Sequence, residues 1–165
     1  MIKCVHFYGL KQKILKKFNY VGLMEGKEFL TAAQKLAQMR FEAAIRSAFS
    51  RAYYAAFNVG VKLLIDLGFI LPKDASAHDH LYQRLNNAGI SEIKDIAGRL
   101  KDLRQKRVHA DYDMQSRSFQ SHTECELDIA RVKLIIAQLE SCYQQPLRNQ
   151  LKDGIQEYER KIGLH

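Results

Sequence analysis

The chain has 165 residues, 47% apolar and 27% charged, with a formal net charge of +8. That length suits one domain with its own core rather than two, and no apolar run approaches the length of a membrane span. The three cysteines, Cys4, Cys125 and Cys142, are odd in number and at no metal-ligand spacing, which reads as reduced thiols in a cytoplasmic protein.

Residues 1–23 hold Lys3, Lys11, Lys13, Lys16 and Lys17 and no acid, which leaves only +3 for residues 24–165. A basic chain invites an acidic partner such as RNA, but most of the excess lies in this extension, set at residues 1–24. It has no continuous apolar centre, so it is not read as a secretory signal. Leu10, Ile14 and Phe18 allow a short amphipathic helix. A nucleic-acid-binding arm, or upstream sequence with Met24 as the start, are the other readings.

From Glu25 onward the pattern is helical. Phe29, Ala32, Ala33, Leu36 and Ala37 recur at the spacing of one helix face. A longer helix is expected from about Glu42 to Leu67, with Ile45, Ala48, Phe49, Ala52, Ala56, Val59, Leu63 and Leu64, and Gly68 as its stop. Its alanines let a neighbouring helix come close. Gly68 to His80, with Pro72, Asp74 and Ser76, reads as a loop. A short helix over Asp79–Asn87 is expected next. Ser91 is placed as the N-cap of a helix from Glu92 to about Val108, with Ile93, Ile96, Ala97, Leu100, Leu103 and Val108 facing inward. Thr123 to Tyr143 forms another helix, with Leu127, Ala130, Leu134, Ala137 and Leu139 assigned to the core. Pro146 bounds it, and residues 146–165 are set as a polar C-terminal helix or tail. No alternating strand pattern occurs. The expected architecture is all-α, an antiparallel up-and-down bundle of four to five helices over residues 25–145.

Two segments stand apart from this pattern. One is Ser50-Arg51-Ala52-Tyr53-Tyr54-Ala55-Ala56-Phe57, and the other runs Leu103-Arg104-Gln105-Lys106-Arg107-Val108-His109-Ala110-Asp111-Tyr112-Asp113. Together they resemble the HEPN superfamily (higher eukaryote and prokaryote nucleotide-binding domains), closest to small prokaryotic members with similar Ser-Arg-Ala-Tyr-Tyr-Ala and Ala-Asp-Tyr-Asp segments. The resemblance spans roughly residues 25–145. It implies a helical bundle that forms a homodimer. It also implies a metal-independent endoribonuclease, often a toxin paired with an antitoxin, with a nucleotidyltransferase-type antitoxin as a possible partner. The family motif is Arg, a polar residue, and His after a spacer of four to six residues. Arg104, Gln105 and His109 fit it. A second register starts at Arg107, three residues before Ala110, and reaches Tyr112 in place of the histidine. The first register implies catalysis. The second implies a non-catalytic module that binds RNA, nucleotide or a partner protein.

The chemistry explains the residue types. Metal-free RNA cleavage uses the neighbouring 2′-hydroxyl as nucleophile, and a base must take its proton. An acid must protonate the leaving 5′-oxygen, while charge builds on the phosphate oxygens. Histidine titrates near neutral pH and can do either proton task. Arginine stays charged and meets phosphate through a planar fork. Arg104 and His109 are therefore the catalytic candidates, and Lys106, Arg107, Tyr112 and Arg51 the candidates for holding RNA phosphates. No cofactor and no metal is expected. His78-Asp79-His80 has metal-binding residue types but no further ligands near it in sequence.

Each feature also has a plainer reading. A basic helix end favours the helix dipole, and Asp111 and Asp113 can cap a turn. Tyr53 and Tyr54 can line a core edge. Residues five apart on a helix stand about 140° apart, so Arg104 and His109 share a site only if the helix ends near Val108 or a second subunit completes it.

Overall fold

A computed structural model describes residues 24–163; the basic extension and Cys4 lie outside them. The described residues form six α-helices and no strand. These are α1 (Glu28–Ala37), α2 (Glu42–Asp66), α3 (Ala77–Asn86), α4 (Ser91–Tyr112), α5 (His122–Ser141) and α6 (Leu147–Lys161). The expected all-α class and helix order are present. Among the described residues no helix is long and apolar enough to cross a membrane.

The alanine-rich α2 is the hub. Ala44, Ala48, Ala52, Ala55 and Ala56 are buried around its circumference. With so little side chain outward, α1, α3, α4 and α5 all pack against it. Its end follows the sequence: Gly68 takes a positive φ of 100°, and Phe69 N–H donates to Leu64 O at 2.9 Å. That bond closes the carbonyls a helix leaves unpaired, a conformation glycine adopts without a Cβ clash.

Two expectations about α4 are corrected. Ser91 is its first helical residue rather than the cap; Ile90 holds the extended cap position, and Ser91 Oγ donates to Glu92 Oε2 at 2.8 Å. The helix also runs past Val108 to Tyr112, and Val108 is 38% exposed rather than core. Arg46 gives the physical reason for the longer helix. Its guanidinium, only 7% exposed, donates to Ala110 O at 3.1 Å, Asp113 O at 2.9 Å and Ser116 O at 2.8 Å. A cation on the last carbonyls satisfies groups the helix cannot pair itself.

The inward face of α5 is also corrected. Leu127 and Leu134 are 52% and 62% exposed, and Ala130 and Ala137 face outward as well. The buried row is Cys125, Ile129, Val132, Ile135, Ile136, Leu139 and Cys142. Both rows have helical spacing, but the second offers more apolar area and wins the core. Ser121 caps this helix by accepting from Glu124 N–H at 3.2 Å. The thiols of Cys125 and Cys142 are free, and burial pushes each up to about 11, which leaves them inert.

The C-terminal helix is docked. Leu151 and Ile155 are fully buried, and Arg84 pairs with Glu159 at 2.7 Å. A Cβ at Gly154 would stand 1.9 Å from Ala88 O, so only glycine admits this approach of α6 to the α3–α4 corner.

Candidate functional site

Helices α2, α3 and α4 border a half-open cavity of about 430 Å³. From α4 it is bordered by Lys101, Arg104, Gln105, Val108 and His109; from α3 by His78, Asp79 and Tyr82; from α2 by Tyr53 and Phe57. Arg104 and His109 therefore meet one space without any break in the helix. They stand at the two edges of an arc of about 140°, and Lys101, Gln105 and Val108 fill the arc between them. The cavity spans the whole face, so both border it on an unbroken helix within one chain.

Arg104 is half-buried and forms an ion pair with Asp79, in the first turn of α3. Asp79 is the more exposed of the two, at 64% against 36% for the arginine side chain. His109 is exposed on the cavity rim. Its carbonyl accepts from Asp113 N–H at 2.9 Å, which carries the helical bonding past it.

Arg107 faces a different neighbourhood. It donates to the Tyr54 hydroxyl, and its Nε lies 2.9 Å from Asp111 Oδ2. Ser50 Oγ also donates to Asp111 Oδ2, at 3.1 Å. The Nε–H of Arg107 is buried and not aimed at an acceptor, so the contact with Asp111 is an ion pair without a hydrogen bond there. The Arg107 guanidinium carbon sits 5.1 Å from the Tyr54 ring centre and 5.8 Å from that of Tyr112. Arg51 lies over the same Tyr54 ring at 5.2 Å and over Phe29 at 5.3 Å. Arg51, Tyr54, Arg107 and Asp111 thus tie α2 to α4 beside the cavity. Tyr112 is 72% exposed at the end of this network.

Lys106 does not border this cavity. It pairs with the buried Asp128 of α5 and lies 4.6 Å from the Phe49 ring centre. It faces the α4–α5 groove, away from the cavity that Arg104 borders. The reason is its rotation on the helix, about 200° from Arg104.

The His-Asp-His segment diverges in space. His78 Nδ1 is 2.6 Å from Tyr53 Oη, whereas His80 Nδ1 lies 3.4 Å from Arg84 Nη1. Among the described residues no group of three or more His, Cys, Asp and Glu side chains is placed to hold a metal ion.

Sequence reasoning did not assign site roles to Tyr53, His78 or Asp79, and it missed Arg46 entirely. The helix expected from Asp79 starts two residues earlier, at Ala77, so His78, which the sequence reads as loop, lies in its first turn. The readable signals were the paired tyrosines of α2 and an arginine within the mostly apolar Ala-Ala-Ile-Arg-Ser-Ala-Phe run. Comparison with known proteins adds nothing to this geometry: no family profile, curated protein or solved structure matches the chain.

Proposed function

We propose that the chain is a metal-independent endoribonuclease of HEPN type, toxin-like, with Arg104 and His109 as its catalytic residues. The observation that carries this reading is that both border one cavity. The bundle is read as the four- to five-helix up-and-down HEPN arrangement, with α6 added outside it. In the reaction the 2′-oxygen attacks phosphorus and the bond to the 5′-oxygen breaks. Histidine moves the protons, and Arg104 stabilises the charge gathering on the phosphate oxygens. The products are a 2′,3′-cyclic phosphate and a 5′-hydroxyl.

In-line attack puts the 2′-oxygen and the leaving 5′-oxygen on opposite sides of phosphorus, out of reach of one fixed imidazole, and a homodimer apposing two α4 ends would supply the second. The apolar exposure at that end supports such an interface: Val108, Tyr112 and Met114 are 38%, 72% and 62% exposed. The test is incubation of the purified chain with single-stranded RNA in EDTA, with end-group analysis and sedimentation of the protein. Cyclic-phosphate ends from a dimer are expected; uncleaved RNA from clean protein overturns the reading.

The second reading is a non-catalytic HEPN module that binds RNA, nucleotide or a protein such as a nucleotidyltransferase antitoxin. The Arg107–Tyr112 register favours it, because Arg107 is consumed by Tyr54 and Asp111 and an exposed tyrosine stands where the histidine would be. It expects salt-sensitive RNA binding without cleavage.

A further inference from the structure

We infer that His78 is a second ligand-binding residue of this cavity, held in its Nε2–H tautomer by Tyr53 and donating to an RNA phosphate oxygen beside Arg104. This rests on the ribonuclease reading of the site. It concerns a residue which that reading does not use.

Tyr53 is 3% exposed, in the middle of α2. A buried phenol O–H needs an acceptor, and among the described residues its partner is His78 Nδ1 at 2.6 Å. Burial raises the Tyr53 phenol far above its ordinary range, so it remains an O–H donor. Donation to Nδ1 uses that nitrogen's lone pair. In the uncharged ring the remaining hydrogen then sits on Nε2.

His78 is held uncharged for physical reasons. Burial lowers its pKa, the charges of Arg104 and Arg107 lower it further, and Asp79 opposes them. The ring is also fixed in place. Its centre lies 4.1 Å from that of Phe57 and 5.6 Å from that of Tyr53. With Nδ1 occupied, Nε2 is the polar atom His78 can offer, and it has no hydrogen-bond partner among the described residues. An uncharged N–H donor near the Arg104 guanidinium suits a phosphodiester. The arginine supplies charge, and the imidazole supplies direction without needing a proton from solvent.

The experiment uses the full chain and a 2′-O-methyl oligoribonucleotide, which has the phosphates but no attacking hydroxyl. Long-range 15N–1H NMR reads the tautomer of His78. The expected result is an Nε2–H pattern whose signal shifts on adding the oligonucleotide. His78→Ala is expected to weaken binding about tenfold, with the His109 signal still responding. Tyr53→Phe keeps the ring and the fold; it should mix the tautomers and weaken binding about threefold. An Nδ1–H pattern, or a His78 signal that ignores the oligonucleotide while His109 shifts, overturns the inference. If His78 responds but unmodified RNA stays intact, the ribonuclease reading falls and the His78 site stands. If RNA is cleaved equally by wild type and His78→Ala, with His78 unshifted, the reading stands and this inference falls. Absence of any binding overturns both.

Discussion

One turn of α4 separates Arg104 from Arg107, and the two guanidinium groups meet opposite surroundings. Arg107 is enclosed by Tyr54, Asp111 and Tyr112, all from this chain. Arg104 borders a cavity and has one exposed carboxylate as its partner. The first arrangement spends a cation on holding two helices together; the second leaves one available to a ligand. The residue type is the same, and rotation on the helix decides the role.

Exchanging each arginine should separate the two roles. Arg104→Ala is expected to lower RNA cleavage by about a hundred- to a thousandfold while the melting temperature stays nearly unchanged. Arg107→Ala should do the reverse. It is expected to cost about 2 kcal/mol of stability, because Asp111 keeps Ser50 but loses its cation and the Tyr54 hydroxyl loses its donor, with cleavage falling only as far as folding does. Denaturant titration beside a cleavage assay reads both; matching effects from the two variants would erase the distinction.

Arg46 marks the far limit of the structural class. Arg46→Ala would strand the carbonyls of Ala110, Asp113 and Ser116, now bonded to one guanidinium. A loss of about 3 kcal/mol is expected, read by the same titration. Hydrogen exchange should quicken at the end of α4 before it does in α2.

A smaller effect concerns pH. His78 has a folded-state pKa below its ordinary 6.5. The unfolded chain therefore binds a proton more readily than the folded one. The stability this contributes is complete above about pH 6.5 and is lost as pH falls through the folded value. Tyr53→Phe should change that slope, and His78→Ala should remove this residue's part of it. A slope unchanged in His78→Ala would show that His78 does not feel this environment.

The smallest expected effect tests Asp79. Its carboxylate competes with any phosphate for Arg104, so Asp79→Asn should tighten binding of a 2′-O-methyl oligoribonucleotide about twofold to fivefold. Fluorescence anisotropy reads it, and weaker binding would mean that Asp79 orients Arg104 for its ligand.

How much of this was legible in the sequence differs between the fold and the site. The helices were, because their apolar spacing and the Gly68 stop are local signals. The inward face of α5 was not: Leu127, Ala130, Leu134 and Ala137 have the spacing of a core stripe, and only packing against α2 shows that the Ile129 row is preferred. Within the site, the Arg104–His109 spacing was readable, but a helix projection alone kept the two apart. Their meeting depends on the width of a cavity built with α3, a long-range feature that no local pattern encodes. Lys106 looked equivalent to its basic neighbours until Asp128 of α5 claimed it.

We propose that the Arg104–His109 cavity cleaves RNA without a metal. The most direct test is His109→Ala against wild type on end-labelled RNA in EDTA, with fold and oligomeric state checked by circular dichroism and sedimentation. The account predicts cyclic-phosphate and 5′-hydroxyl ends from wild type, and a loss of at least about a hundredfold in the folded variant. Full cleavage by His109→Ala, or cleavage that depends on an added metal, would contradict it.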